Sequence, residues 1–168
     1  MSNDNPKFAV YRGSDAIDFD ASGAMSPPEP GTFDPDSVQA LVDAGIYEGS
    51  DNDLLFSGAG MSLARVWFKS GYPLPRHSHD CDCLYYILAG SLRIGTEELG
   101  PGDGFFVGNS VPYTYEAGAQ GVELLEFRNA TEFGIRLLGA NARWGAKALE
   151  TVQERRAHWH DEAPPSRG

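Results

Sequence analysis

The feature that most constrains the fold of this chain is a series of short apolar segments between Leu54 and Asn129, separated by turn-forming residues. Gly, Pro, Asp and Asn interrupt the series every few residues, so each segment is too short for an ordinary helix but fits a strand. The predicted strands are 54–56, 62–69, 84–88, 91–94, 104–107, 112–115 and 122–127. Many short strands at close and even spacing predict an all-β fold, either a sandwich or a barrel.

The chain before these strands is polar and rich in turns. Residues 1–33 are predicted to form an extended arm, because the prolines of segment 26–31 exclude a helix or a central strand. A short helix is expected next: Asp34 can cap it, Pro35 suits its first position and Gly45 can end it. An N-terminal arm and short helix are therefore expected over residues 1–53.

The chain after the predicted strands returns to a helical pattern. Ala146, Leu149, Val152 and Gln153 recur at helical spacing and predict a helix that carries them on one face. A barrel core is then expected over residues 54–130, and a C-terminal strand or helix with a frayed tail over 131–168.

The charge and the cysteine content exclude several classes of protein. With 24 acidic and 13 basic residues the formal net charge is −11, which disfavours nucleic acids and anionic membranes, because both attract clustered Lys and Arg. No apolar run can span a bilayer, and the first residues lack the pattern of a secretory signal. A disulfide between Cys81 and Cys83 would be strained. A cytoplasmic protein with free or metal-bound thiols is expected.

The candidate chemistry of the chain lies in the segment His77-Ser78-His79. Residues two apart on a strand point to the same face of the sheet, so the two imidazoles can converge on one metal ion. The same alternation gives two predicted sets: His77, His79, Cys83, Tyr85 and Ile87 face inward, and Ser78, Leu84 and Tyr86 face outward.

The residues around the two histidines have the spacing of a known motif. Gly71, His77, His79, Cys83 and Gly90 follow one another with five, one, three and six residues between them. This resembles the first motif of the cupin superfamily, G-x5-H-x-H-x3–4-E-x6-G, with Cys83 in the place of the usual Glu. The segment 99–107, Leu-Gly-Pro-Gly-Asp-Gly-Phe-Phe-Val, resembles the strand that opens the second cupin motif.

The second cupin motif, G-x5-P-x-G-x2-H-x3-N, is matched only in part. With Gly102 on its first glycine, Gly108 stands at the proline, Ser110 at the second glycine, Tyr113 at the histidine and Ala117 at the asparagine. The resemblance covers residues 60–128, under half of the chain. It implies an antiparallel cupin jelly-roll barrel with short flanking helices.

The same resemblance implies a metal site inside the barrel. The usual cupin ligands are two His and a Glu of the first motif and a His of the second, and carried over residue by residue they become His77, His79, Cys83 and Tyr113. One divalent transition metal, iron or zinc, is the expected cofactor, since a thiolate ligand favours such ions. Tyr85 and Tyr113 are the candidate catalytic residues, with the role of moving protons.

Several other polar residues have both a functional and an ordinary interpretation. Glu126 on the last predicted strand is a further candidate metal ligand that can replace the missing carboxylate; Glu123 lies on the same strand, and an exposed or ion-paired Glu is the ordinary alternative. Arg65 and Arg93 can pair with such acids or with a carboxylate substrate, or lie at the surface. Asp80 is a turn residue that can also orient a histidine.

Two segments are expected to carry no ligand. The His-x-His pattern recurs at residues 158–160, within a predicted helix or tail. Residues two apart do not share a helix face. Cys81 shares the inward parity of its neighbours, but a turn or bulge is expected there, and this places Cys81 at the mouth of the barrel.

Three functions stay open at the level of the sequence. The first is a metal-dependent enzyme, a dioxygenase, lyase or isomerase, acting on a small apolar or aromatic ligand with a carboxylate or carbonyl group. The second is a degenerate cupin that binds or senses a small molecule without turnover, and the third is a structural dimerisation domain. A homodimer is expected in each case, by exchange of arms or by packing of sheet on sheet, since an uncovered sheet is a liability.

Overall fold

The computed structural model describes residues 6–167. Strands dominate the middle of this region and α-helices lie on either side of it. In chain order the elements are β1 (Ile17–Asp18), α1 (Phe19–Ser22), α2 (Pro35–Ala44), β2 (Ser50–Gly58), β3 (Met61–Phe68), β4 (His77–His79), β5 (Cys83–Ile94), β6 (Glu97–Leu99), β7 (Gly104–Val107), β8 (Glu116–Arg128), β9 (Ile135–Leu137) and α3 (Ala142–Trp159).

Two antiparallel sheets form the body of the molecule. The large sheet has the strand order β1-β2-β3-β8-β5-β6, and β7 also pairs with β5. The small sheet pairs β4 with β9, and a bridge between His77 and Tyr113 extends it. Every ladder between named strands is antiparallel, which confirms the predicted antiparallel β architecture.

The strands differ from the predicted ones in two places. Segments 84–88 and 91–94 form the single strand β5, because bulges opposite β8 let the ladder continue through the glycine between them. Gly90 has φ of +74°, and a Cβ there would come within 2.2 Å of the Gly121 carbonyl oxygen. Segment 112–115 forms no strand, and Tyr113 makes only the bridge to His77.

The main core lies on one face of the large sheet, called here the inner face. On β5 the alternation is as predicted: Cys83, Tyr85 and Ile87 are buried, whereas Leu84 and Tyr86 are about half exposed. Ser78 of β4, predicted to face outward, is buried together with both histidines, so the outward face of this strand is covered instead of exposed to solvent.

The prediction for Cys81 is also wrong. Only 6% of this residue is exposed, and it belongs to the main core cluster instead of lying at an open mouth. The turn around it is held closed by the neighbouring Asp82, whose carboxylate accepts from the backbone N–H of Asn109 and from the side-chain amide of Asn129. A closed turn shields the thiol from solvent.

The N-terminal segment is not the extended arm that its prolines suggest. It contains β1 and α1, and it lies against its own chain: Ile17 pairs with Leu54, Phe19 is buried in the main core, and Met25 bridges to Phe133. Short apolar stretches before the prolines supply this contact. Residues 1–5 of the predicted arm lie outside the described residues. We call residues 17–28 the N-terminal strap.

Helix α2 begins and ends where its sequence predicts. The Asp34 side chain accepts the Ser37 N–H, Pro35 occupies the first turn, and Gly45 at φ +91° closes the helix. The left-handed conformation at that position favours glycine, which lacks a Cβ.

Helix α3 is longer than the predicted short flanking helix, with 18 residues, and it buries a different stripe. Its buried residues are Gly145, Ala148, Val152 and Trp159, so of the four predicted residues only Val152 is buried. The close approach of α2 decides this face: a Cβ at Gly145 would lie 2.4 Å from Ser37 Cβ. No helix among residues 6–167 is both long and apolar enough to cross a membrane.

Candidate ligand and metal site

A cavity of about 500 Å³ lies between the inner face of the large sheet, strand β4 and the N-terminal strap. Most of its wall is apolar, which suits a small organic ligand. The apolar part includes Phe19, Met25, Val66, Phe68, Tyr72 and Ile135, and the polar part includes Asp20, Asn52, His77, His79, Tyr113, Glu126 and Arg128.

The two histidines of β4 are held in one orientation by the backbone. The Nδ1 atom of His77 lies 2.8 Å from the carbonyl oxygen of Pro75, and that of His79 lies 2.9 Å from the carbonyl oxygen of Gly134. A carbonyl only accepts, so each Nδ1 carries the proton and each Nε2 keeps a free lone pair. The two rings are 5.1 Å apart between centroids and both line the cavity.

Burial keeps both imidazoles neutral. It is the main cause that lowers the pKa of His77, and it lowers the pKa of His79 to about 3, with the positive charge of Arg128 as the second cause for His79. A neutral imidazole with a free Nε2 is the form in which histidine binds a metal ion.

Asp80 acts on His79 through one intermediate residue. Its Oδ1 accepts the N–H of Gly134 at 2.7 Å, and the carbonyl of the same Gly134 accepts from His79. Asp80 therefore fixes the loop that orients the imidazole, instead of contacting the ring as the sequence suggests. The Phe133 ring packs edge-on against His79 at 5.4 Å and limits its rotation.

Tyr113 and Tyr85 form a hydrogen-bonded pair beside the histidines. The Tyr113 ring lies 4.5 Å from the ring of His77 and forms part of the cavity wall. Its hydroxyl is bonded to the hydroxyl of Tyr85, which lies behind the wall and stacks on Phe105 at 4.3 Å. Burial raises the pKa of both phenols well above their ordinary value, so both stay protonated.

Cys83 lies apart from the two histidines. It is buried on β5 opposite Arg128 of β8, and it is not among the residues that line the cavity. Burial raises the pKa of its thiol to about 12, so the thiol is protonated in the metal-free protein. The structure thus brings His77, His79 and Tyr113 to one cavity and leaves Cys83 and Tyr85 outside its lining.

Glu126 lines the cavity as an ion pair. It is 6% exposed, and its Oε2 accepts from Nη2 of Arg128, two residues further along the same strand. Burial works to lower the pKa of Arg128, but the negative charge of Glu126 leads the interactions that raise it above its ordinary value. The guanidinium is therefore charged, and the ion-paired interpretation of Glu126 applies.

The histidine pair fits a divalent transition metal, but the surrounding carboxylates do not complete a site. Two neutral imidazoles with free Nε2 atoms are donors that iron and zinc accept. Within residues 6–167 no three side chains of His, Cys, Asp or Glu are grouped so that they could hold an ion. Further ligands would have to come from Tyr113, from Glu126 after release from Arg128, or from water and a bound molecule.

The remaining candidates have structural roles. Arg65 pairs with Asp53, and Arg93 pairs with Glu116 at the surface. Glu123 is buried outside the cavity and accepts the backbone N–H of Ser166 at 3.3 Å.

His158 and His160 are both exposed near the end of α3, and His160 contacts Asp161 at 3.3 Å. The Trp159 between them is fully buried.

Three site residues escape the sequence-based reasoning. Arg128 has the inward parity of Glu126, and continuing that alternation by two residues would have found it. Phe19 and Asp20 belong to the N-terminal strap, and no sequence pattern predicts that this strap folds back onto its own chain.

Comparison with known proteins supports the fold. No protein-family model matches the chain, and no curated protein sequence matches it. The polyketide cyclase RemF from Streptomyces resistomycificus is a solved structure with 19% identity and a TM-score of 0.52, over 63% of this chain and 82% of its own.

Two further solved structures are similar over a smaller share of the chain. KdgF from Halomonas sp. has 18% identity and a TM-score of 0.44, over 48% of this chain and 81% of its own. An RmlC-like cupin from Shewanella frigidimarina has 21% identity and a TM-score of 0.44, over 48% and 76%. The antiparallel sheets and the similarity to RemF show that the chain has an antiparallel β fold like that of RemF.

Proposed function

We propose that this protein is a member of the cupin superfamily with a jelly-roll barrel, and that its cavity binds one divalent transition metal ion and a small organic ligand. The reaction class that suits this site is a metal-dependent lyase, isomerase or dioxygenase. His77 and His79 hold the ion, and Tyr113 and Glu126, which line the same cavity, are the further candidate ligands. We also propose a cytoplasmic location, and the net charge of −11 argues against nucleic-acid and anionic-membrane partners.

One observation carries the metal proposal. Both imidazoles donate through Nδ1 to backbone carbonyls, and both line the same cavity, so their Nε2 atoms are the free ligands. Backbone carbonyls that fix the tautomer and the ring orientation are the usual supports of metal-binding histidines.

The residues around this pair suit general acid chemistry. A bound iron or zinc ion would polarise an oxygen atom of the ligand. Tyr113 is protonated and lies on the cavity wall, so it can donate a proton to a developing negative charge, and the Tyr85 hydroxyl behind it can replace that proton. Phe19 and Met25 of the N-terminal strap add apolar surface to the cavity wall.

Metal binding tests this proposal, and the chain contains its own control. His77→Ala/His79→Ala removes the proposed ligands, and His158→Ala/His160→Ala removes two exposed histidines with the same spacing. After treatment with a chelator, each protein is titrated with zinc and with ferrous iron under anaerobic conditions. Wild type and the control pair are expected to bind one equivalent, and the first variant is expected to lose at least about 100-fold in affinity.

Circular dichroism must show that the His77→Ala/His79→Ala protein is folded. Equal metal affinity of this folded variant and of wild type would contradict the proposal. Binding that disappears in the control variant instead would assign the ion to the end of α3.

A ligand-binding module without catalysis is the second candidate function. The observation that favours it is the absence, within residues 6–167, of a group of three His, Cys, Asp or Glu side chains suited to an ion. The same titration separates the two functions. A cavity that binds small molecules and takes up no metal at millimolar concentration belongs to a binding module.

We also propose that the protein is a homodimer whose interface is the outer face of β5, β7 and β8. Neighbouring strands place an uncharged apolar patch there, formed by Leu84, Tyr86, Leu88, Phe106 and Phe127. A molecule with a net charge of −11 repels its own copies, so a stable contact needs such an uncharged surface. Exchange of arms is not part of this proposal, since the described arm residues contact their own chain.

Sedimentation velocity at micromolar concentration tests the interface. Phe106→Asp is expected to give monomers, because it places a carboxylate in the patch. Ile17→Asp is the matched control, as Ile17 is similarly exposed on the strand at the opposite edge of the sheet, and it should leave the dimer intact. A monomeric wild type, or a dimeric Phe106→Asp protein, would contradict the proposal.

A further inference from the structure

Polar atoms without a partner are concentrated on the inner face of the large sheet. Among the residues that the structure describes, the buried side-chain nitrogen and oxygen atoms without a hydrogen bond are Oδ1 of Asn52, Oγ of Ser62, Nε1 of Trp67, and both Nε and Nη1 of Arg128. Buried polar groups in native proteins are nearly always paired. Two of these residues, Asn52 and Arg128, line the cavity, and this points to a partner from outside the chain.

Arg128 is the charged member of this group. It ends β8 with only 4% exposure, and it lies opposite Cys83 of β5. A guanidinium has five N–H donors, and the ion pair with Glu126 engages Nη2 alone, which leaves Nε and Nη1 without an acceptor. The ring of Phe133 lies 4.3 Å from Cζ and holds the guanidinium in place.

The surroundings of Arg128 select the kind of acceptor. A carboxylate matches the guanidinium in shape and charge. A phosphate monoester carries close to two negative charges, and the buried carboxylate of Glu126 would repel it more strongly than a carboxylate with one charge. The walls away from Arg128 are mostly apolar, with Val66, Phe68 and Tyr72 among them and Asp20 and Asn52 as polar exceptions, so most of the remainder of the ligand is apolar.

We propose that Arg128 is the carboxylate-binding residue of this cavity, and that its ligand is a small organic acid with an apolar or aromatic body. The proposal deepens the proposed function, because it places the ligand in the same cavity as His77 and His79. It does not depend on a metal ion, since the unpaired donors belong to Arg128 itself.

Benzoate and benzamide are the probes for this proposal, because they share a shape and differ in charge. Calorimetry or ligand-observed NMR on the chelator-treated protein measures both affinities. Wild type is expected to bind benzoate about tenfold more tightly than benzamide, since hydrogen bonds to a charged group outweigh those between neutral groups. Glu126→Gln/Arg128→Met removes the ion pair without leaving a single buried charge, and it is expected to bind the two probes equally.

Asp53→Asn/Arg65→Met is the matched control, because it removes another pair of Arg and carboxylate outside the cavity. It should keep the preference for benzoate. The measurement uses chelator-treated protein, so its result does not depend on metal binding, and this separates failure of the metal proposal from failure of this one.

Two results would overturn the inference: a wild type without preference for benzoate, or a preference that survives in Glu126→Gln/Arg128→Met. Should that double variant fail to fold by circular dichroism, Glu126→Gln alone decides. It removes the negative charge that competes for Arg128, so it should tighten benzoate binding several-fold. Unchanged or weaker binding of benzoate would refute the role of Arg128.

Discussion

Two segments of this chain have the same His-x-His sequence, but one lies on a buried strand and the other at the end of a helix. In His77-Ser78-His79 all three residues are buried, and both imidazoles face one cavity. In His158-Trp159-His160 the two histidines are exposed, and the tryptophan between them is fully buried. A strand gives residues two apart one direction and a helix does not. The spacing of two histidines therefore indicates a site only together with the secondary structure that carries them.

The largest expected effect concerns the middle residue of the second segment. Trp159 packs with Leu41 and Val152, and its Nε1 donates to the Ser70 carbonyl at 2.9 Å. Trp159→Ala should lower the free energy of unfolding by about 4 kcal/mol, because it leaves a large cavity and an unpaired carbonyl. Urea denaturation of wild type and of the variant measures this difference in the free energy of unfolding.

The exposed neighbour of Trp159 provides the control for that measurement. His158→Ala should change stability by no more than about 0.5 kcal/mol. Equal effects of the two variants would show that the two segments do not differ as described.

The second expected effect is a dependence of stability on pH that the first segment carries. Burial, followed by the charges of Arg128 and His77, lowers the pKa of His79 from 6.5 to about 3 in the folded protein. Between these values the unfolded chain binds a proton that the folded chain does not. Stability therefore falls as the pH falls, by about 2 kcal/mol from pH 7 to pH 5 for this residue.

Urea denaturation of the chelator-treated protein across this pH range measures the effect. His79→Asn keeps a donor near the position of Nδ1 and cannot titrate, so the loss of stability should shrink by that amount. His158→Asn/His160→Asn should retain the slope of wild type. A His79→Asn protein with the full slope would show that His79 is charged in the folded state.

The smallest expected effect tests whether the two segments are independent. Asn141 caps α3 by accepting the Trp144 N–H at 3.0 Å. Asn141→Ala should lower stability by about 1 kcal/mol and leave the metal affinity unchanged, because α3 packs mainly on α2. Asp34→Ala at the start of α2 should act similarly. A change in metal affinity in either variant would reveal coupling between the helices and the cavity.

Local patterns predicted much of the fold. The caps of α2 and the alternation of buried and exposed residues on β5 depend on nearest neighbours in sequence, so they can be derived from the residues themselves. Strand β7 coincides with its predicted segment 104–107 because turns bound it on both sides. The buried face of α3 could not be derived in this way, since the contact of Gly145 with Ser37 of α2 selects it.

In the candidate site, too, some features follow from the local sequence and others from tertiary contacts. The sequence by itself determined that His77 and His79 point the same way, because strand geometry gives residues two apart one direction. Only the tertiary structure decided what surrounds them. It placed the N-terminal strap over the cavity, kept Cys83 outside the cavity lining, and brought Arg128 into the wall with donors unpaired. These outcomes depend on contacts between residues far apart in the chain, and no local pattern encodes such contacts.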